Sequence, residues 1–187
     1  ATCDGFFYRG KQVAVVGGGN TAVEEAIYLT KHATKVMLIH RRNSLRAEKM
    51  LQERLLANPK IEIIWDSALE EVMGKHEGPM PEVTGIRVRN IKTDSITEYS
   101  LEGVFIAIGH QPNTSIFVNQ LKMDEEGYLI TQPDSTATNI PGIFAAGDVQ
   151  DNKFRQAVTA AGTGCMAALE TEKYLAETVN QATVAAQ

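Results

Sequence analysis

Three consecutive glycines stand between a short apolar run and a helical pattern. The run is Gln12-Val13-Ala14-Val15-Val16, and Gly17-Gly18-Gly19-Asn20-Thr21-Ala22 follows it. A β-branched stretch of this length reads as a buried parallel strand. Beyond the glycines, Ala22, Ala26, Ile27 and Leu29 recur on one side at helical spacing over residues 20–33, with Glu24, Glu25 and Lys31 elsewhere on the wheel. A G-x-G-x-x-A turn between strand and helix has a chemical purpose. The first glycine makes the tight turn, the second lets backbone approach a pyrophosphate, and the small third residue lets helix pack on strand. Phosphates then meet the helix N-terminus, where N–H groups and the dipole favour an anion. A glycine-rich turn without a ligand is the alternative that the spacing alone allows.

A second strand is expected at residues 35–40 and a second helix at 45–56, stopped by Asn58-Pro59, with a third strand at 61–65. Strand, helix, strand, helix, strand is half of a doubly wound fold. From 68 to 101 the period changes to two, broken by Gly74, Gly78-Pro79, Pro81 and Thr93-Asp94, which predicts an antiparallel meander. The strand 104–108 closes on Gly109, and Pro112-Asn113-Thr114 marks a domain boundary. Past it, the pattern predicts a hairpin around Glu126-Gly127, a strand over 142–146 and a helix over 156–178 with a soft Thr163-Gly164 interior. The tail 179–187 is expected to fray. The fold class is therefore α/β: a Rossmann-like βαβαβ nucleotide-binding domain with an antiparallel meander, followed by part of a second α/β domain.

Composition narrows the function. With 187 residues, 43% hydrophobic and 22% charged, the chain suits a folded core, and disorder or coiled coil does not fit. No apolar run approaches the roughly 20 residues of a membrane helix. A net charge of −5 argues against bulk nucleic-acid binding. The first residues resemble no signal peptide, and two cysteines, Cys3 and Cys165, make no disulfide framework. A soluble, cytoplasmic protein is expected. The chain opens on Ala1 in place of Met, as if cut from something longer.

The second strand ends in His40-Arg41-Arg42, with Arg46 four residues on. An NAD site usually has a carboxylate there for the ribose 2′-OH. Guanidiniums bind phosphate oxygens bidentately, which suits a 2′-phosphate and favours NADP(H) over NAD(H). Ile108 and Gly109, at the carboxyl end of the 104–108 strand, join these candidate cofactor contacts. A second motif delivers Gly147-Asp148 at the carboxyl end of the 142–146 run, with Arg155-Gln156-Ala157 opening the next helix. Asp148 is there either a ligand contact or a helix N-cap. His110 is either a nicotinamide contact or a linker residue, and Glu24 either a cofactor contact or a solvated helix face. Cys165 reads as a packed small residue. Trp65, Met37, Met50 and Met73 are expected in the core, Lys49, Arg54 and Lys60 on the surface. His32 and His76 lack partners at metal-ligand spacing, so no metal site is expected.

Together the blocks 1–7 (Ala-Thr-Cys-Asp-Gly-Phe-Phe), 17–26, 40–42 with 46–49, 141–157 and 162–168 resemble the bacterial thioredoxin reductases over essentially the whole chain. The resemblance implies a homodimeric flavoprotein that carries electrons from NADPH through FAD to a C-x-x-C pair and on to thioredoxin. It implies that residues 1–4 are a remnant of the redox-active segment, 5–109 the NADPH-binding domain and 110–187 the C-terminal half of the FAD-binding domain. Gly17, Gly18, Gly19, Asn20, Thr21, His40, Arg41, Arg42 and Arg46 would then hold NADPH. Gly147 and Asp148 would meet the flavin ribityl chain, and Arg155, Gln156 and Ala157 the isoalloxazine ring. Cys3 would be the sulfur facing the flavin, and Asp4 the acid that handles the proton of the exchange.

One departure qualifies this. The family's pair is Cys-Ala-Thr-Cys, and this sequence has only its Ala1-Thr2-Cys3 part, without the first FAD half. Exchange needs two sulfurs, so an NADP(H)-binding module without activity of its own is the alternative for these 187 residues. Two relatives fit less well. The flavoprotein subunit of alkyl hydroperoxide reductase uses NADH and calls for an acid where Arg41-Arg42 stand. Thioredoxin-reductase-like ferredoxin–NADP reductases lack the Cys-Asp-Gly segment. Apolar faces of 110–187 that belong against the other FAD half are expected to be exposed.

Overall fold

The computed structural model describes every residue except Thr2, Glu77, Pro79, Ala186 and Gln187. The chain divides into two compact units, Ala1–Gly109 and His110–Gln187. In chain order the first holds a 3-10 turn (Gly5–Tyr8), β1 (Gln12–Gly17), α1 (Asn20–Leu29), β2 (Lys35–Ile39), α2 (Lys49–Leu56), β3 (Ile61–Ile64), β4 (Ser67–Lys75), β5 (Glu82–Asn90), β6 (Ile96–Ser100) and β7 (Gly103–Ala107). β1 lies inside a parallel sheet of order β3-β2-β1-β7, and β4-β5-β6 form a separate antiparallel sheet.

Alternation along the strands decides what covers each face. Val13, Val15, Val36 and Leu38 point to one side, where Ala22, Val23, Ala26 and Leu29 of α1 and Leu55 of α2 close over them. Ala14, Met37 and Ile39 point to the other, against Ile86, Val88 and Leu101. Both faces are dry, which explains why these strands read as continuous apolar runs. Each fully buried Leu or Val contributes about 1.5–3 kcal/mol. The same alternation turns Arg87 and Arg89 outward from β5. Arg87 bridges Glu71 and Glu98 on the flanking strands, while Arg89 reaches Glu70 and Asp94. Hydrogen bonds to these carboxylates raise both guanidinium pKa values further.

Two helix boundaries and one burial differ from the sequence expectation. α1 stops at Leu29, because the Thr30 hydroxyl donates to the Ile27 carbonyl and the Lys60 ammonium takes the carbonyls of Thr30 and Ala33. α2 begins at Lys49, because residues 45–48 run as an irregular segment that buries Leu45 and Ala47. Met50, expected in the core, is exposed.

The second unit holds 3-10 turns at Ser115–Phe117 and Gly147–Val149 and the helix α3 (Ala157–Ala185). Its small core is Leu121, Leu129 and Ala145 with Phe117, Met123, Ile140 and Val149 around it. The hairpin near Glu126-Gly127 is a single bridge, Met123 to Leu129, whose turn is gathered by Asp124 accepting from the N–H groups of Glu126 and Tyr128. The strand expected over 142–146 is also one bridge, Ala137 to Phe144. Gly142 at φ +80° and the Ile143 N–H bonded to the Ile140 carbonyl make a turn of the start of that run. α3 runs on to Ala185, where fraying was expected from residue 179. Val158, Leu169 and Leu175 on it are more than half exposed, as is Phe154 just before it. Among the described residues no helix is long and apolar enough to cross a membrane.

Candidate functional site

The carboxyl ends of β1, β2 and β7 open onto one cleft of about 550 Å³. Open α/β sheets bind ligands at that end. Its lining includes Gly17, Gly18, Gly19 and Thr21 from the glycine turn, His40, Arg41 and Arg46 from beyond β2, and Ile108 and Gly109 from beyond β7.

Each glycine has its own reason. A Cβ at Gly17 would lie 2.3 Å from the Ala107 carbonyl oxygen and 2.7 Å from the Ala22 Cβ, so strand and helix close there with no room to spare. At Gly18 a Cβ would fall 2.2 Å from the His40 ring. At Gly19 it would meet no protein atom within 4 Å. The space beside Gly19 is open, and as the N-cap of α1 it brings no side-chain acceptor to the first-turn N–H groups. An anion fits that cradle.

His40 is 5% exposed. Its Nε2–H donates to the Ser44 carbonyl at 2.9 Å, and the ring meets Trp65 edge-on. The ring therefore underlies Gly18 while it shapes the segment that carries Arg46. In that segment burial of Leu45 and Ala47 turns Arg46 outward between them, and the Arg46 N–H donates to the Gly18 carbonyl at 2.8 Å. Arg42 and Asn20 are exposed beside the cleft and do not line it. Sequence reasoning missed Ser67, Ala68 and Leu69, which form a wall at the start of β4. Nothing in their types announces this, since it is the Ser67 N–H on the His40 carbonyl and the Asp66 N–H on the Arg42 carbonyl that bring β4 to the mouth of β2.

In the second unit Gly147 has φ +71° and its N–H donates to the Thr163 hydroxyl at 3.0 Å. Asp148 is exposed within the 3-10 turn, and α3 begins nine residues later, so it is no cap of that helix. Arg155 is held at φ +48°, its N–H on the Asp151 carboxylate and its guanidinium donating to the Tyr128 hydroxyl at 3.1 Å. The Gln156 amide donates to the Phe154 and Arg155 carbonyls, and Ala157 starts α3. Burial alone would raise the Asp151 pKa. The N–H groups of Phe154, Arg155 and Lys153 and the Thr159 hydroxyl outweigh it and hold the carboxyl below its ordinary value. Cys3 and Asp4 are exposed in the first unit. Cys165 is exposed on α3, not packed as its neighbours suggested, and His110 and Glu24 are exposed.

The family model of the pyridine nucleotide-disulphide oxidoreductases matches residues 1–164. The chain is 57% identical to a thioredoxin reductase of Rickettsia felis over 175 residues, 94% of this chain and 56% of that protein. It is 57% identical to one of Coxiella burnetii, over 97% of this chain and 58% of the relative. The crystal structure of the thioredoxin reductase from Streptococcus pyogenes superposes with a TM-score of 0.83 at 44% identity, covering 93% of this chain and 55% of that one. The chain thus spans little more than half the length of the relatives it matches. With a glycine cradle, an arginine-bearing segment and a sheet opening on one cleft, it belongs to the pyridine nucleotide-disulphide oxidoreductase family.

Proposed function

We propose that the cleft of the first unit binds NADP(H), within a protein whose whole chain is a cytoplasmic, homodimeric thioredoxin-disulfide reductase that also binds FAD. The observation that carries this reading is the meeting of the Gly17–Gly18–Gly19 turn with Arg41 and Arg46 in one cleft. Residues 5–109 are then the NADPH domain and 110–187 one half of the FAD domain. The turn and the start of α1 hold the pyrophosphate, as the open space at Gly19 supports. Arg41, Arg42 and Arg46 take the 2′-phosphate, and Ile108 and Gly109 lie toward the nicotinamide. NADPH and FAD supply the hydride and electron chemistry when bound. In the second unit the Gly147 turn and the Arg155-Gln156-Ala157 segment face the flavin, with Asp148 offering an acceptor to its ribityl hydroxyls. Cys3 presents the sulfur that meets the flavin, and Asp4 holds or gives the proton at that sulfur. Thioredoxin is the disulfide substrate.

For the 187 residues alone the reading is narrower. They hold no two cysteines at C-x-x-C spacing, and exchange needs two sulfurs. They act as a nucleotide-binding module. Titration of the chain with NADPH and with NADH tests this. The expected result is a clear preference for NADPH, reduced at least about tenfold when Arg41, Arg42 and Arg46 are made neutral together. Equal affinity for both nucleotides overturns the assignment.

A further inference from the structure

Arg46 owes its place to an irregular segment, and that segment is tied to the glycine turn by side chains as well as by backbone. The Asn20 Nδ2 donates to Glu48 Oε1 at 3.2 Å, and the Glu48 N–H donates to Asn20 Oδ1 at 2.9 Å. Asn20 is the first residue of α1, directly after Gly19, and Glu48 is the last residue before α2. The amide thus spans the two parts of the cleft, the phosphate cradle and the arginine segment. Two further ties run parallel to it, Arg46 N–H to the Gly18 carbonyl and His40 to the Ser44 carbonyl. Those two engage backbone carbonyls. In the Asn20–Glu48 pair one bond needs both side chains, and the other, from the Glu48 N–H, needs the Asn20 side chain alone.

We propose that Asn20 and Glu48 form a clasp that positions Arg46 relative to the glycine turn and thereby sets the preference for NADPH over NADH. This rests on the NADP(H) reading of the cleft and adds positioning residues to it. Glu48 looks at first like an error, a carboxylate two residues from an arginine meant for a phosphate. Coulomb's law alone predicts that removing it strengthens NADPH binding. The clasp predicts the opposite sign, because the carboxylate matters as the acceptor for Asn20.

The test is a set of binding titrations of this chain with NADPH and NADH, on the unaltered protein and on Glu48→Ala, Glu48→Gln and Asn20→Ala, with a thermal melt of each. Gln keeps an oxygen for the Asn20 amide and loses the charge. The clasp predicts that Asn20→Ala, which removes both bonds, lowers the ratio of NADPH to NADH affinity by about three- to tenfold, chiefly through NADPH, and that Glu48→Ala, which leaves the Glu48 N–H on Asn20 Oδ1, lowers it by about two- to threefold. It predicts that Glu48→Gln keeps the ratio at or above its original value. Both Glu48 variants strengthening NADPH binding would show a charge effect and overturn the clasp. So would alanine variants that melt normally and keep the ratio, or that lose both nucleotides equally. An unaltered chain without preference for NADPH overturns the NADP(H) reading and the clasp together, whereas a selective chain with unmoved variants overturns the clasp alone.

Discussion

The two units reach order by different means. In the first, β1 and β2 carry apolar side chains on both faces, and helices on one side and a sheet on the other keep them dry. The second has three buried residues at its centre and a long helix with much apolar surface exposed. Polar side chains take up backbone groups there in place of burial. Asp124 ties a turn, Asp151 gathers three successive N–H groups, Asn139 accepts from the Lys122 N–H, and Glu170 accepts from both the N–H and hydroxyl of Thr136. A unit assembled from hydrogen bonds is specified in shape but weakly held, since each bond contributes only about 0.5–1.5 kcal/mol net. Apolar burial gives the first unit both.

The sharpest way to break this contrast is a pair of truncations. Leu38→Ala should cost about 2–5 kcal/mol in guanidinium unfolding followed through Trp65, while Leu129→Ala should cost less than about 2 kcal/mol by hydrogen exchange in its own unit. Equal costs would mean that the second unit has a core of comparable weight. A smaller effect is expected from Gly18→Ala, whose Cβ would press into the His40 ring. Overpacking of this kind costs about 1–3 kcal/mol, and NADPH affinity should fall with it while the second unit's exchange pattern stays put.

The smallest effect tests the polar scheme directly. The Asp151 carboxyl has a folded pKa below its unfolded one. Its contribution is therefore complete above the ordinary Asp value of about 3.9 and is lost as pH falls through the lower folded value. Amide resonances of Lys153, Phe154 and Arg155 should titrate together with a midpoint below that value. In Asp151→Asn the shared transition should vanish. Three separate titrations in the unaltered protein would show that Asp151 does not organise the loop.

What was legible in the sequence follows the same divide. The parallel strands, α1 and the meander announce themselves because burial imposes a period, as in Val13 to Val15 or the alternation of Ile86, Arg87, Val88 and Arg89. The glycine turn and the arginines that line the cleft with it were legible from residue type. Residues 45–48 misled, since Leu45 and Ala47 are good helix formers directly ahead of α2, and only the fold shows them buried on alternate positions with the Arg46 N–H on the Gly18 carbonyl. Residues 142–146 misled for the converse reason. They are apolar enough for a strand, but a turn at Gly142 takes the first of them, and the rest make one bridge, Ala137 to Phe144. Ser67 to Leu69 could not have been found, because their role comes from where β4 starts.

The pairing of β1 with β7 reaches further than architecture. Residue 13 lies beside residue 103, and Gly17 beside Ala107, so the cleft has one wall from the beginning of the unit and one from its end. Contacts so distant along the chain form late, after the loop between them has closed. The glycine turn can take shape early on β1 and β2, whereas Ile108 and Gly109 arrive only when the whole meander has been threaded past. During refolding, nucleotide capture should therefore lag behind the gain of helix and strand signal, and serve as the clock for the last step.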